Sequence, residues 1–302
     1  MKRSLLFAAL CAAGMSAQAA TITAMQDPGA RPLLERLFEN LTTAVDIDND
    51  IRNVDYIGAI GDKVDEPVQA GLFENLVIRG AQSTQLTLAR GIVLTSGSAT
   101  SVPTTNTSSG YSWVAFTGGS NDIENITAGS PASGGRHSGE LPSHDQNELS
   151  FRLAVPTGVT GIAARFVYAS EEYPEFAGTS FADGFAFLVG GTNYAILPDG
   201  TPVSLMRDDS NIHFMPNGEN GAAGAPLIVD LEYDGFTRIL DIVAPLRGGT
   251  EEEFTIVISD TGDEIYDSAV FLSAFSFITG DNPIPTTQLG VKLSDDDYVE
   301  FD

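Results

Sequence analysis

The chain has 302 residues, with 15 Lys and Arg against 41 Asp and Glu, a net charge of −26. A surface of that sign repels nucleic acid and anionic membranes, which excludes a nucleic-acid partner and membrane insertion. The partners it suits are cations, further copies of itself, or surface proteins and glycans bridged through cations. Cys11 is the only cysteine, so no intramolecular disulfide can form.

Residues 1–19 have the composition of an export signal. Lys2 and Arg3 give a positive start, residues 4–15 an apolar run, and Ala17-Gln18-Ala19 a cleavage site that is cut before Ala20. The apolar run is shorter than the roughly 20 residues that cross a bilayer, and no later segment reaches that length. Lipidation at Cys11 is not expected, because Leu10 stands where a small residue is wanted. Cleavage would leave a cysteine-free chain of charge −28, secreted into an extracellular setting or retained on the cell surface. Residues 20–280 read as one domain, and 281–302 as an acidic C-terminal tail.

Pro32 follows a turn and opens a helical pattern, in which Leu33, Leu34, Leu37, Phe38 and Leu41 form one apolar face. This short amphipathic helix is expected to plug or flank the fold. Asp46-Ile47-Asp48-Asn49-Asp50 imitates the start of an EF-hand loop. Ile51 stands where glycine is required and Ile57 where a bidentate glutamate is required, so it is not one.

Strand signals follow over 86–95, 149–155, 161–169, 184–189, 227–231, 238–243, 254–259 and 269–278. Phe185, Phe187 and Val189 share one face of a strand, as do Phe254, Ile256 and Ile258. Two stretches, 96–144 and 208–225, are rich in Gly, Asn, Ser or Thr and read as long loops, the first with one short strand at 111–116. The expected fold is all-β, an antiparallel β-sandwich or jelly roll with one short N-terminal amphipathic helix. In the tail, residues 289–293 alternate like a strand, which pairs with its own sheet or with a neighbour's open edge.

Two acidic segments join strongly apolar strands. One is Tyr168-Ala169-Ser170-Glu171-Glu172-Tyr173-Pro174-Glu175-Phe176, followed by Asp183-Gly184-Phe185-Ala186-Phe187. The other is Ser259-Asp260-Thr261-Gly262-Asp263-Glu264-Ile265-Tyr266-Asp267-Ser268-Ala269-Val270-Phe271-Leu272. Together they resemble the choice-of-anchor L domain, a family of exported bacterial surface domains, and the resemblance extends over 34–277. It implies a secreted or anchored β-sandwich module with no established general activity. Beyond Phe277 the sorting signal from which the family takes its name is not recognisable.

Carboxylates crowded into turns raise one another's pKa unless a cation joins them, and calcium takes six to eight such oxygens. Glu171, Glu172, Asp183, Asp263 and Asp267 are therefore the expected calcium ligands, grouped at one end of the sandwich; separate solvated turns, or hydrogen-bond caps for backbone N–H groups, are the alternatives.

Catalytic patterns are thin. His137, His144 and His213 fit no metalloprotease motif, and the chain has no G-x-S-x-G elbow. Glu171 or Glu172 with Asp263 is the only pair that suits glycoside hydrolysis. Trp113, the only tryptophan, lies in the long loop as a candidate sugar platform or as a core residue. The expected function is thus a non-enzymatic structural or adhesive module, calcium-stabilised, acting in attachment or matrix assembly. A glycan-binding module using Trp113 is the second reading and a secreted hydrolase the third.

Overall fold

Two antiparallel sheets enclose the main core in the computed structural model, which describes residues 20–63, 66–79, 85–100, 106–128, 142–181, 183–205, 214–218, 227–280 and 289–293. The expected signal peptide at 1–19, His137, His213, most of the tail and much of the 208–225 loop lie outside the described residues.

The first sheet runs in the order β1 (Thr21–Ala24), β3 (Ala70–Arg79), β4 (Gln85–Thr95), β14 (Ser268–Ser273), β6 (Val159–Ser170), β11 (Gly235–Thr237) and β10 (Phe214–Pro216). Long β6 also pairs with β12 (Leu240–Pro245) and β15 (Ser276–Thr279), and β16 (Gly290–Leu293) adds to β12. The second sheet is β2 (Ile51–Ile57), β5 (Ser143–Ala154), β13 (Glu251–Thr261), β7 (Gly184–Val189) and β8 (Thr192–Asn193), with β9 (Val203–Ser204) beside β7. The expected all-β, antiparallel class is the observed one.

Strand alternation sorts the side chains. Phe185, Phe187 and Val189 of β7 meet Phe254, Ile256 and Ile258 of β13 in the space between the sheets, with Phe166 and Tyr168 of β6 opposite. The intervening residues of β6 and β14, Val167, Ala169, Ala269 and Phe271, face a second core on the outside of the first sheet. That outer core is covered by Ile228, Val229, Leu231, Tyr233 and Phe236.

The expected helix is α1 (Arg31–Leu37), extended by a 3-10 turn at Glu39–Leu41. All five predicted apolar residues are buried, and Phe38 packs edge-on against Phe151 and Phe275, so the helix plugs the sandwich. The EF-hand imitation is instead the short α2 (Ile47–Asp50), which Asp46 caps by accepting from the Asp48 N–H.

Four expectations are corrected. Residues 227–231 form no strand, because the Ile228 and Val229 N–H groups donate to Asn217 Oδ1 rather than to a neighbouring strand. The 269–278 run breaks at Ala274 and Phe275, where the Phe275 N–H donates to Leu37 O and its ring enters the core. The 111–116 segment is not a strand. The long loop also contains α3 (Asn121–Ala128), whose Ile123 is buried against Ala186, Leu188 and Val257. The tail strand pairs within its own chain, Leu240 opposite Leu293 through Val243 opposite Gly290.

Candidate cation site

β5 and β13 stay in register from Glu251 opposite Ala154 to Ile258 opposite Asn147, then slip so that Asp260 faces His144. The extra residue is on β5, where Asp145 takes a left-handed conformation with φ 49°. A bulge of this kind bends its strand and redirects side chains. β13 keeps its alternation, so Asp260 continues the inward series of Phe254, Ile256 and Ile258 and is completely buried.

Four more carboxylates are buried around this end of the sandwich: Asp145, Glu172, Asp183 and Asp267. Asp183 is the best satisfied, accepting from the Thr261 N–H at 3.1 Å and the Ser268 hydroxyl at 2.5 Å. Glu172 Oε2 accepts a long bond from the Asp183 N–H at 3.4 Å. Asp267 Oδ2 accepts from the Trp113 N–H at 2.9 Å, and Asp145 Oδ1 from the Phe116 N–H at 2.8 Å. Five oxygens have no donor: Asp145 Oδ2, Glu172 Oε1, Asp267 Oδ1 and both oxygens of Asp260. None of the ion pairs among the described residues involves these side chains.

Burial pushes all five carboxyls up, because the charged form is the costlier one to remove from water. Asp183 rises to about 7, while Asp260 is driven well above the usual range by burial and then by the charges of Asp183 and Asp267. A buried polar atom without a partner costs about 1–3 kcal/mol, more for a charged group. Five such oxygens from four carboxylates buried at one end of the sandwich leave that end short of hydrogen-bond donors.

The segment 106–117 lies over these acids as a strap. The Thr107 N–H donates to Glu232, the Tyr111 N–H to Glu171, the Trp113 N–H to Asp267 and the Phe116 N–H to Asp145; the Asn106 side-chain amide donates to Asp234. Side-chain carboxylates thus replace a neighbouring strand as acceptors, and the segment belongs to no sheet. Trp113 and Phe116 are left exposed at 40% and 86%.

The sequence matches the choice-of-anchor L domain profile over residues 32–278. The chain belongs to the choice-of-anchor L family. That places it among exported surface modules, and every carboxylate described above lies inside the matched choice-of-anchor L span. No curated protein matches the sequence. Among the described residues no helix is long and apolar enough to cross a membrane.

Within this choice-of-anchor L domain the five residues expected as ligands part company. Glu172, Asp183 and Asp267 are buried together at the end of the sandwich. Glu171 is buried too, but with Glu232 and Asp234. Asp263 is half-buried; it caps its own turn by accepting from the Ile265 N–H at 3.1 Å, and its charge still reaches Glu172 and Asp183. Asp145 and Asp260 were not expected. Asp260 could have been found by carrying the Phe254, Ile256, Ile258 alternation one step further; Asp145 has no comparable signal, since its position depends on the bulge.

Proposed function

We propose that this choice-of-anchor L domain is a calcium-stabilised, non-enzymatic surface module that acts in attachment or matrix assembly. Asp260 carries the reading: a completely buried carboxylate with no donor for either oxygen, beside further unpartnered oxygens of Asp145, Glu172 and Asp267. The unmet groups at this site are acceptors apart from the Thr261 hydroxyl, a deficit of the kind that a hard cation fills. No three acidic, histidine or cysteine side chains among the described residues yet converge on one point at ligand distance. Binding therefore requires carboxylate rotation toward the ion, which for Asp260 means turning from the Ser96 hydroxyl and the Asp183 carboxyl within its reach. Glu171 and Glu172, the glutamates that would suit a hydrolase, are buried away from any polymeric substrate.

The test is thermal melting in EDTA and across calcium concentrations to a few millimolar. Extracellular calcium sites bind at about 10⁻⁴–10⁻³ M, and tenfold saturation adds about 1.4 kcal/mol. A rise that magnesium does not reproduce and that Asp260→Asn abolishes supports the site; an unchanged melting temperature refutes it. Cell or matrix binding by the protein in calcium then tests the attachment role.

The exposure of Trp113, held by a backbone bond to Asp267, favours glycan binding as a second reading. A glycan array probed with wild type and Trp113→Ala decides that point.

A further inference from the structure

Successive residues of an extended chain point to opposite faces of a sheet. Along β6 this sends Phe166 and Tyr168 between the sheets and Val167 and Ala169 to the outer core. Glu171 and Glu172 continue the alternation just beyond the strand. Glu172 turns inward to Asp183 of the opposite sheet, whereas Glu171 turns outward beneath Tyr111, in range of Asp234 and Glu232.

The outer group has its own unmet acceptors. Glu171 is 2% exposed; its Oε1 accepts from the Tyr111 N–H at 2.8 Å, and its Oε2 makes no hydrogen bond of good geometry, although the Asp234 N–H also faces this carboxylate. Asn106 is completely buried and spends its amide nitrogen on Asn217 O, Tyr233 O and Asp234 Oδ1, at 2.9, 3.4 and 2.6 Å. That nitrogen assignment is fixed by three acceptors, so the Asn106 carbonyl oxygen is the atom left without a donor. Both residues adjoin the buried Asp234: the Asn106 amide nitrogen donates to its carboxylate, and the pairing of Gly235 with Ser170 sets Glu171 opposite it. A proton on Glu171 turns one of its oxygens into a donor, whereas a cation answers acceptors of both kinds at once.

We propose that Glu171, Asp234 and Asn106 form a second site for a hard divalent cation of the calcium class, on the outer face of the first sheet and independent of the site between the sheets. The class of ion is taken from the reading above, but the second site does not require the first to be filled. Glu232 holds Thr107 with both carboxylate oxygens and anchors the strap over this site.

Calcium stoichiometry decides it. Titrating the metal-free protein with calcium chloride by calorimetry is expected to give two ions per chain. Glu171→Gln and Asp234→Asn should each give one, as should Asp260→Asn, and Glu171→Gln with Asp260→Asn should give none. Both single outer variants keep the size of the native side chain, and circular dichroism checks that they fold. One ion in wild type, lost in Asp260→Asn and kept in Glu171→Gln, overturns the second site and leaves the first. One ion lost in Glu171→Gln and kept in Asp260→Asn overturns the first and supports the second. Two ions that survive Glu171→Gln and Asp234→Asn overturn the assignment to these residues, and no binding at all overturns both.

Discussion

The backbone N–H of Trp113 donates to Asp267 Oδ2 at 2.9 Å, tying the only tryptophan of the chain to a completely buried carboxylate. Tryptophan emission therefore reports whether the strap is seated. Removing calcium should shift that emission to the red and increase its quenching by acrylamide, because unscreened carboxylates repel one another and loosen their hold on the strap. Asp267→Asn should produce the same change with calcium present. Emission indifferent to both would separate the strap from the buried acids.

Gly97 sits against the same carboxylate. A Cβ there would lie 1.7 Å from Asp267 Oδ2, so either the strand end or the acid must move. Gly97→Ala should cost about 1–3 kcal/mol in denaturant melts, the usual range for overpacking. Gly280→Ala, where a Cβ meets nothing within 4 Å, is the control and should be close to neutral.

The pH dependence of the metal-free protein has a definite sign. Burial raises Asp183 and Asp234 to about 7 and Glu171 to about 9, while the same groups in an unfolded chain ionise near 4. Between those values the folded state holds protons that the unfolded state has lost. The stability these groups contribute is full below about pH 4 and is lost as pH rises through 7 and toward 9. Metal-free protein should melt higher at pH 5 than at pH 8, and calcium should narrow that gap by stabilising the protein at pH 8. The net negative charge of the chain acts in the same direction, so the discriminating variant combines Asp183→Asn, Asp234→Asn and Glu171→Gln: a slope that it does not flatten does not come from these three groups.

Phe275 interrupts the β14–β15 run to enter the core, where its ring meets those of Phe38, Phe187 and Phe254. Phe275→Ala should cost about 3–5 kcal/mol. Because Phe38 follows α1 and Phe254 belongs to β13, the loss should destabilise the helix plug and the second sheet together. Calcium stoichiometry should be unchanged in whatever fraction stays folded.

The strands easiest to read were those in which apolar alternation runs uninterrupted, such as Phe254, Ile256 and Ile258. β5 was legible only from residue 149 on, because its first half, His144 to Asn147, is polar and buried by hydrogen bonding rather than by apolar contact. Residues 227–231 have strand composition, but the Ile228 and Val229 N–H groups go to Asn217 Oδ1, and the contact with β3 is made at its last residue, Arg79, rather than along a ladder. At the site, the two acidic segments drew attention to Glu172, Asp183 and Asp267, yet a residue-type pattern could not separate them from Asp263, which serves its own turn. The strap left no compositional trace, since most of its donors are backbone amides that any sequence supplies. Glu232 and Asp234 stand in Leu231-Glu232-Tyr233-Asp234, where alternation with apolar residues reads as an ordinary half-exposed strand.

The strap also sets an order of assembly. Its carboxylate acceptors are at 145, 171, 232, 234 and 267, all later in the chain than the donors at 106–116, while the Tyr111 hydroxyl reaches back to Ser98 O. Contacts so distant in sequence close large loops and form slowly. A growing chain therefore cannot complete the attachment of this segment until residue 267 has emerged. A truncation anywhere before Asp267 would leave the strap, which bridges the two sheets, without its full set of anchors.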